Sequence, residues 1–152
     1  MGQFGVGQPV RRKEDVRLLK GNGKYLDDLK LENELYAVIV RSPHAHAKIN
    51  SIDTSIAENK LGVVAVYTAK HLKEDNIGGI PCLAKVKSKD GQDMANPIRP
   101  LLAEKFARYV GDYVAIVFGE SHKIAKDAAE LVDVDYEVLP STIDTANANN
   151  EN

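Results

Sequence analysis

The sequence predicts an α+β fold that combines a mixed sheet with few helices. Apolar or alternating runs of strand length recur between residues 35 and 138, whereas only one stretch has the spacing of an amphipathic helix. A glycine-rich, charged stretch without a long apolar run precedes the first of them. We therefore expect an extended N-terminal arm over residues 1–30, an α+β domain over residues 31–140, and a polar tail over residues 141–152.

Three strand-like segments occupy the first half of the domain. Residues 35–40 form a compact apolar run of the kind that a buried strand shows, and residues 62–68 are rich in β-branched side chains. Between these runs, residues 44–53 alternate in polarity. Strict alternation along this strand would place Ile49 and Ser51 on the same face.

The segments around and after these strands predict less regular structure. A short helical piece begins near Thr54 or Ser55, and residues 69–73 have the length of one helical turn. Residues 74–104 have little periodicity and contain several glycines and prolines, which indicates a long excursion. One short strand is expected within it, over residues 83–86.

The second half of the domain predicts strand, helix and strand in succession. Residues 113–118 are an apolar run that strongly indicates a strand. Ser121 is suited to cap a helix that runs to about Asp133, and residues 134–138 alternate as a closing strand. The apolar stripe of this helix consists of Ile124, Ala125, Ala128, Leu131 and Val132.

Composition excludes several classes of function. Twenty Lys and Arg against 22 Asp and Glu give a net charge of −2, and the one basic run, Arg11-Arg12-Lys13, is followed at once by Glu14 and Asp15. Binding to nucleic acid needs a basic excess or stripe, which is missing. No segment has the apolar length of a membrane-spanning helix. We expect a cytoplasmic domain with neither nucleic-acid binding nor membrane insertion.

The histidines are the first candidates for a metal site. His44 and His46 are two residues apart, so in a strand their side chains would face the same way. No carboxylate or third histidine lies near them in sequence, and His71 and His122 could approach only through the fold. A metal site needs three or four ligands, so the pattern favours a structural role.

Other candidate sites are incomplete. Asp27 and Asp28 are adjacent and point apart, so capping of a turn or pairing with an arginine explains them better than acid–base chemistry. The segment Gly21-Asn22-Gly23-Lys24 lacks both the earlier glycine and the following Ser or Thr of a phosphate-binding loop.

The possible nucleophiles lack their partners. Cys82 has no activating base beside it in sequence. Because it is the only cysteine, an intrachain disulfide is excluded. Ser42 and Ser55 lack the strand–turn–helix context of a serine nucleophile. The sequence therefore predicts no catalytic, cofactor-binding or metal-binding residue.

Three stretches in order carry a family resemblance. They are residues 7–19 with Gly21, Gly23, Tyr25, Asp27 and Asp28; Val-Arg-Ser-Pro-His-Ala-His-Ala over residues 40–47; and Arg-Tyr-Val-Gly-Asp over residues 108–112 with residues 127–137. Together they resemble the N-terminal part of the molybdopterin-binding large subunit of the xanthine dehydrogenase and aldehyde oxidase family. The resemblance covers nearly the whole chain and is greatest to the aerobic carbon-monoxide dehydrogenase branch.

This resemblance implies an α/β hammerhead fold and a non-catalytic structural role. Enzymes of the family oxidise an activated carbon at a molybdenum centre on a pterin cytosine dinucleotide. Electrons then pass to [2Fe-2S] clusters on a small subunit and to FAD on a medium subunit. The implied partners are the remainder of the large subunit and these two subunits, while the family's catalytic and pterin-binding residues have no counterpart here.

Two other functions remain open from sequence alone. The first is a free-standing binding or interaction module that uses the same fold, since fold does not dictate function. The second is a small metalloenzyme that depends on His44 and His46.

Overall fold

The computed structural model describes residues 7, 12–84, 86–94 and 96–147. The chain divides into two units, Met1–Glu34 and Leu35–Asn152. The boundary lies close to the predicted end of the arm, whose first residues fall largely outside the described part. The arm and the domain remain a prediction as functional divisions of the chain.

The first unit contains a short helix, α1 (Asp15–Leu19), and one turn of 3-10 helix (Leu26–Asp28). Gly21 follows the C-cap residue of helix α1 and has a φ of +71°, which glycine adopts without steric cost. The backbone nitrogens of Gly21 and Asn22 donate to the carbonyls of Leu18 and Arg17, at 3.0 Å each. This is the Schellman arrangement, so the first glycine of this segment serves to end a helix.

Two three-stranded sheets, rather than one mixed sheet, make up the second unit. The first sheet has the order β1–β5–β3 and contains β1 (Tyr36–Arg41), β3 (Val63–Thr68) and β5 (Tyr113–Gly119). The second has the order β4–β2–β6 and contains β2 (Ala47–Asp53), β4 (Phe106–Ala107) and β6 (Asp133–Val138).

All strand pairings in the described residues are antiparallel. The predicted α+β class with few helices is confirmed, while the single mixed sheet is corrected to two antiparallel ones. The pattern of a strand does not encode its partner: β5 pairs with β1, some 80 residues earlier in the chain. Local sequence patterns therefore could not predict the direction in which the strands pair.

Strand β2 carries an irregularity that changes which side chains face inward. Its pairing with β6 shifts between Ile49 and Ser51, so strict alternation ends there. Ile49 is buried, Ser51 is exposed, and Ile52 packs against the core instead. The expectation that Ser51 shares the inward face with Ile49 was wrong because of this bulge.

Three short helices connect the strands: α2 (Ser55–Glu58), α3 (Ala69–Glu74) and α4 (His122–Ala129). The predicted cap of α4 is confirmed, since Ser121 Oγ accepts a hydrogen bond from the backbone nitrogen of Ile124 at 3.2 Å. The helix ends at Ala129 and not near Asp133, because Asp133 begins β6 and pairs with Asp53.

Strand β5 contributes to two separate cores. Val117 packs with Ala57, Val66 and Ala128, beneath helix α4. Val114 packs with Ile49 and Ala103 in a second cluster. Burial on both faces explains why β5 is a continuous apolar run in the sequence.

The predicted excursion over residues 74–104 is present, with little regular structure after α3. Two isolated antiparallel bridges, Ile80 with Arg99 and Lys87 with Asp93, fold it back on itself. Gly79 lies so close to the Arg99 carbonyl that a β-carbon would stand 2.6 Å from that oxygen. The strand expected over residues 83–86 is not found among its described residues, and Lys85 lies outside them.

Candidate functional site

A buried polar cluster lies where β1 ends and β5 begins. The side chain and backbone of Ser42 are buried, with only 2% of the residue exposed. Its backbone nitrogen donates to the carbonyl of Asp112 at 2.8 Å, and the backbone nitrogen of Gly111 donates to the carbonyl of Ser42 at 2.8 Å. These two bonds join the stretches of residues 40–47 and 108–112, and we call this cluster the Ser42–Asp112 junction.

The Asp112 carboxylate organises its own loop. Asp112 is buried, with 9% of its surface exposed. One carboxylate oxygen accepts from the backbone nitrogen of Arg108 at 2.9 Å, and the other accepts from that of Tyr113 at 3.0 Å. Partial burial raises the pKa of the Tyr109 hydroxyl, and the charge of Asp112 and a hydrogen bond to it raise that pKa further. The Asp112 carboxylate thus serves a structural role, because it accepts hydrogen bonds from backbone nitrogens of its own loop.

The hydroxyl of Ser42 is also occupied by local bonds. It accepts from the backbone nitrogen of His44 at 3.1 Å, which closes a tight turn before β2. The His44 ring packs edge-on against Tyr136, with ring centroids 5.0 Å apart. Burial raises the pKa of Tyr136, although its hydrogen bond with Ser42 acts in the opposite direction. Ser42 therefore has the surroundings of a core residue and not those of a nucleophile.

The four histidines do not converge. His46 Nδ1 lies 2.8 Å from the carbonyl of Pro140, whereas His44 faces Tyr136. His71 Nδ1 accepts from the backbone nitrogen of Thr68 at 3.1 Å and so caps α3, and His122 begins α4. Among residues 7, 12–84, 86–94 and 96–147, no group of three or more His, Cys, Asp or Glu could hold a metal ion.

The remaining candidates have local roles. Asp28 accepts a hydrogen bond from the backbone nitrogen of Tyr25 at 2.9 Å, which is the turn-capping role predicted for the Asp27–Asp28 pair. The backbone nitrogen of Ser55 donates to Asp53 at 2.9 Å, and hydrogen bonds from Ser55 lower the pKa of Asp53. The Cys82 thiol lies 3.6 Å from the carbonyl of Ala84.

A groove of about 350 Å³ lies beside the junction, and sequence analysis did not anticipate it. We call it the arginine groove. Its lining residues are Ile80, Pro97, Ile98, Arg99, Pro100, Leu101, Arg108, Tyr109, Asp112 and Tyr113. The folded-back excursion provides one side and the loop that leads into β5 provides the other, so residues distant in sequence meet only in the fold.

Comparison with protein families gives the decisive observation. Residues 20–140 match the family described as "Aldehyde oxidase and xanthine dehydrogenase, a/b hammerhead domain". The chain belongs to this family. The matched residues include both sheets, the Ser42–Asp112 junction and the arginine groove.

Relatives and solved structures agree with that assignment. The chain is 41% identical over 140 residues to the carbon monoxide dehydrogenase large chain of Afipia carboxidovorans, covering 92% of this chain and 16% of the relative. It is also 41% identical over 139 residues to the nicotine 6-hydroxylase large subunit of Paenarthrobacter nicotinovorans, covering 91% and 16%. The chain thus spans about one sixth of the length of these relatives.

Among solved structures, quinoline 2-oxidoreductase from Pseudomonas putida 86 matches with a TM-score of 0.82 and 39% identity, covering 94% of this chain and 17% of that chain. The Cu,Mo-CO dehydrogenase matches with a TM-score of 0.79 and 41% identity, covering 95% and 17%. These neighbours confirm both the recognised family and its fold.

The described residues of the hammerhead domain do not present the donor set of a metal centre. His46 and His71 bond to backbone atoms, His44 packs on a tyrosine ring, and the Asp112 carboxylate is occupied by backbone donors. The described part of this chain therefore supplies no ligand cluster for a metal. None of its helices has the length and apolar character needed to cross a membrane.

Proposed function

We propose that this chain is a non-catalytic structural domain in the large subunit of a multi-subunit molybdenum oxidoreductase. The observation that carries the proposal is the match of nearly the whole chain to about one sixth of proteins named as large chains or large subunits. A solved neighbour that matches equally well is named as a Cu,Mo enzyme. A free-standing binding module is not favoured by these matches.

We propose the cofactors and partners that the family resemblance implies. The complete enzyme would use molybdenum on a molybdopterin cytosine dinucleotide, bound by the remainder of the large subunit. An iron–sulfur small subunit with [2Fe-2S] clusters and a medium subunit with FAD would complete the assembly, which we place in the cytoplasm. The substrate would be a small molecule that is oxidised at an activated carbon atom. The chain resembles enzymes named for carbon monoxide, nicotine and quinoline.

A structural role agrees with the chemistry of the domain's side chains. Ser42, His46, His71 and Asp112 each bond to backbone groups, and the His44 ring packs on Tyr136. Catalysis needs groups aimed at a reacting atom in an enclosed site. The domain would instead contribute a rigid surface against which other parts of the enzyme pack.

The composition of the assembly provides the first test. We would purify the chain from its native host and measure molybdenum, iron and flavin together with the masses of all polypeptides. We expect this sequence to be recovered with a molybdenum-containing polypeptide, either joined to it or tightly bound. Recovery of the chain alone, without molybdenum, would contradict the proposal.

Turnover per molybdenum tests the non-catalytic role. His46→Ala and Ser42→Ala should leave turnover per molybdenum atom unchanged, even where they reduce the amount of assembly, because neither side chain would touch substrate. Lys126→Ala, at an exposed position of α4, is the matched control. A large loss of turnover per molybdenum in the His46 or Ser42 variant, but not in the control, would show a catalytic contribution.

A further inference from the structure

The arginine groove combines apolar surface with positive charge that no carboxylate of the described residues neutralises. Ile98 is 84% exposed, and Ile80 and Tyr109 are each more than half exposed. Large apolar side chains that cluster in one concave surface usually mark an interaction site. The groove therefore has the character of a surface that another molecule covers.

Its charged groups favour an anionic partner. Arg99 and Arg108 both line the groove, and within the described residues no carboxylate forms an ion pair with either guanidinium. The Arg41 guanidinium lies 4.4 Å from the ring centroid of Tyr113, one of the residues that line the groove. Asp112 is the one acidic residue among the described residues that line the groove, and its oxygens already accept bonds from backbone nitrogens.

We propose that the arginine groove binds an acidic segment with apolar flanking residues, contributed by the remaining polypeptide of the large subunit. Guanidinium groups bind carboxylates through paired hydrogen bonds, and arginine and tyrosine are the residues that most often dominate protein interfaces. In the bound state, Arg99 and Arg108 hold the carboxylate, while Ile80 and Ile98 cover the apolar neighbours. This inference rests on the proposed function, because it takes the partner from the same subunit.

The same subunit is favoured over a separate one by simple concentration effects. Most of a large subunit of this kind lies outside the hammerhead domain, since the chain spans about one sixth of its relatives. Attachment to the same polypeptide raises the effective concentration of a segment to about the millimolar range. A shallow groove with two arginines is then sufficient for stable docking.

Charge-preserving variants can identify the occupant directly. In the assembly purified from the native host, Arg99→Lys and Arg108→Lys together keep both charges and introduce amines. A carbodiimide then joins an amine only to a carboxylate in direct contact with it. Mass spectrometry should find the introduced lysines coupled to a carboxylate-containing peptide of the molybdenum-containing polypeptide. The yield should exceed that of Lys123, an exposed native lysine on α4, by about tenfold, which corresponds to a preference of about 1.4 kcal/mol.

Charge reversal provides the second measurement. Arg99→Glu with Arg108→Glu should lower the recovery of assembled enzyme by about tenfold, again a difference of about 1.4 kcal/mol. The pair Lys123→Glu and Lys126→Glu changes the net charge equally at exposed positions of α4 and should leave recovery unchanged. Equal recovery from both pairs would overturn the inference.

Failure of the inference can be told from failure of the proposed function. An intact molybdenum-containing assembly without coupling at the introduced lysines would overturn the groove's assignment and leave the structural role standing. Coupling only to another subunit would assign a different occupant. A small molecule that is retained by the native assembly and lost from the charge-reversal variant would identify the groove as a ligand site instead. If no molybdenum-containing polypeptide is recovered, both proposals fail.

Discussion

Replacing Asp112 with alanine should destabilise the hammerhead domain through its backbone donors. The substitution removes the carboxylate that accepts from the nitrogens of Arg108 and Tyr113, at 2.9 and 3.0 Å. Hydrogen bonds to charged groups contribute about 1.5–3 kcal/mol each. Arg108 and Tyr113 are themselves exposed residues, so water can replace part of each lost bond. We therefore expect a loss of about 2–4 kcal/mol in the free energy of unfolding, below the simple sum.

Asp112→Asn is the matched control for this prediction. An amide has one oxygen that can accept and one nitrogen that cannot, so it keeps one of the two backbone bonds in a side chain of nearly the same size. Its loss of stability should be about half that of the alanine variant. Urea unfolding followed by circular dichroism measures both, since the chain has no tryptophan for fluorescence. A loss below about 0.5 kcal/mol for alanine, or equal losses for both variants, would refute the reasoning.

Three further predictions concern packing, capping and pH. Gly119→Ala should cost about 1–3 kcal/mol, because its new β-carbon would lie 2.9 Å from a backbone nitrogen of α4, whereas Gly78→Ala meets nothing within 4 Å. Ser121→Ala should cost about 1 kcal/mol through loss of the α4 cap, as measured by thermal or urea unfolding. The raised pKa of Tyr136, caused mainly by burial, means that the unfolded state ionises first. Stability should therefore be full below about pH 10 and fall as pH rises through the folded pKa, and Tyr136→Phe, unlike Tyr25→Phe on the arm, should reduce that fall.

Each of these predictions has a contrary outcome. Equal stability of the alanine variants at positions 119 and 78 would show that α4 moves aside at little cost. A serine-to-alanine change at position 121 without effect would mean that solvent replaces the cap. An identical alkaline profile in wild type and the Tyr136 variant would assign the alkaline loss of stability to other groups.

Local patterns predicted most of the elements, because most are encoded by neighbouring residues. The strands at residues 36–41, 63–68, 113–119 and 133–138 were all anticipated from apolar runs or alternation. The two-residue strand β4 was not, since so short a segment has no periodicity and is defined only by its pairing with Ala47 and Lys48. The early end of α4 was likewise set by a distant partner strand.

The junction and the groove show where sequence reasoning stops. The resemblance singled out residues 40–47 and 108–112 as separate motifs, and only the fold shows that Ser42 and Asp112 bond to each other. A lone carboxylate directly before the most apolar strand was a usable signal for Asp112. Arg99 carried no such signal, because it lies in a segment without periodicity and meets Arg108 only through the folded excursion.

Because both faces of β5 are buried, this strand determines how the domain unfolds. Val114 and Val117 belong to different core clusters, so loss of packing in either cluster disturbs the strand that the other cluster also needs. Melting should consequently occur in a single cooperative step, and a fragment that ends before β5 would have neither core. Nicks and insertions would be tolerated best in the excursion over residues 86–94, which belongs to neither cluster. The two sheets should therefore unfold together rather than one after the other.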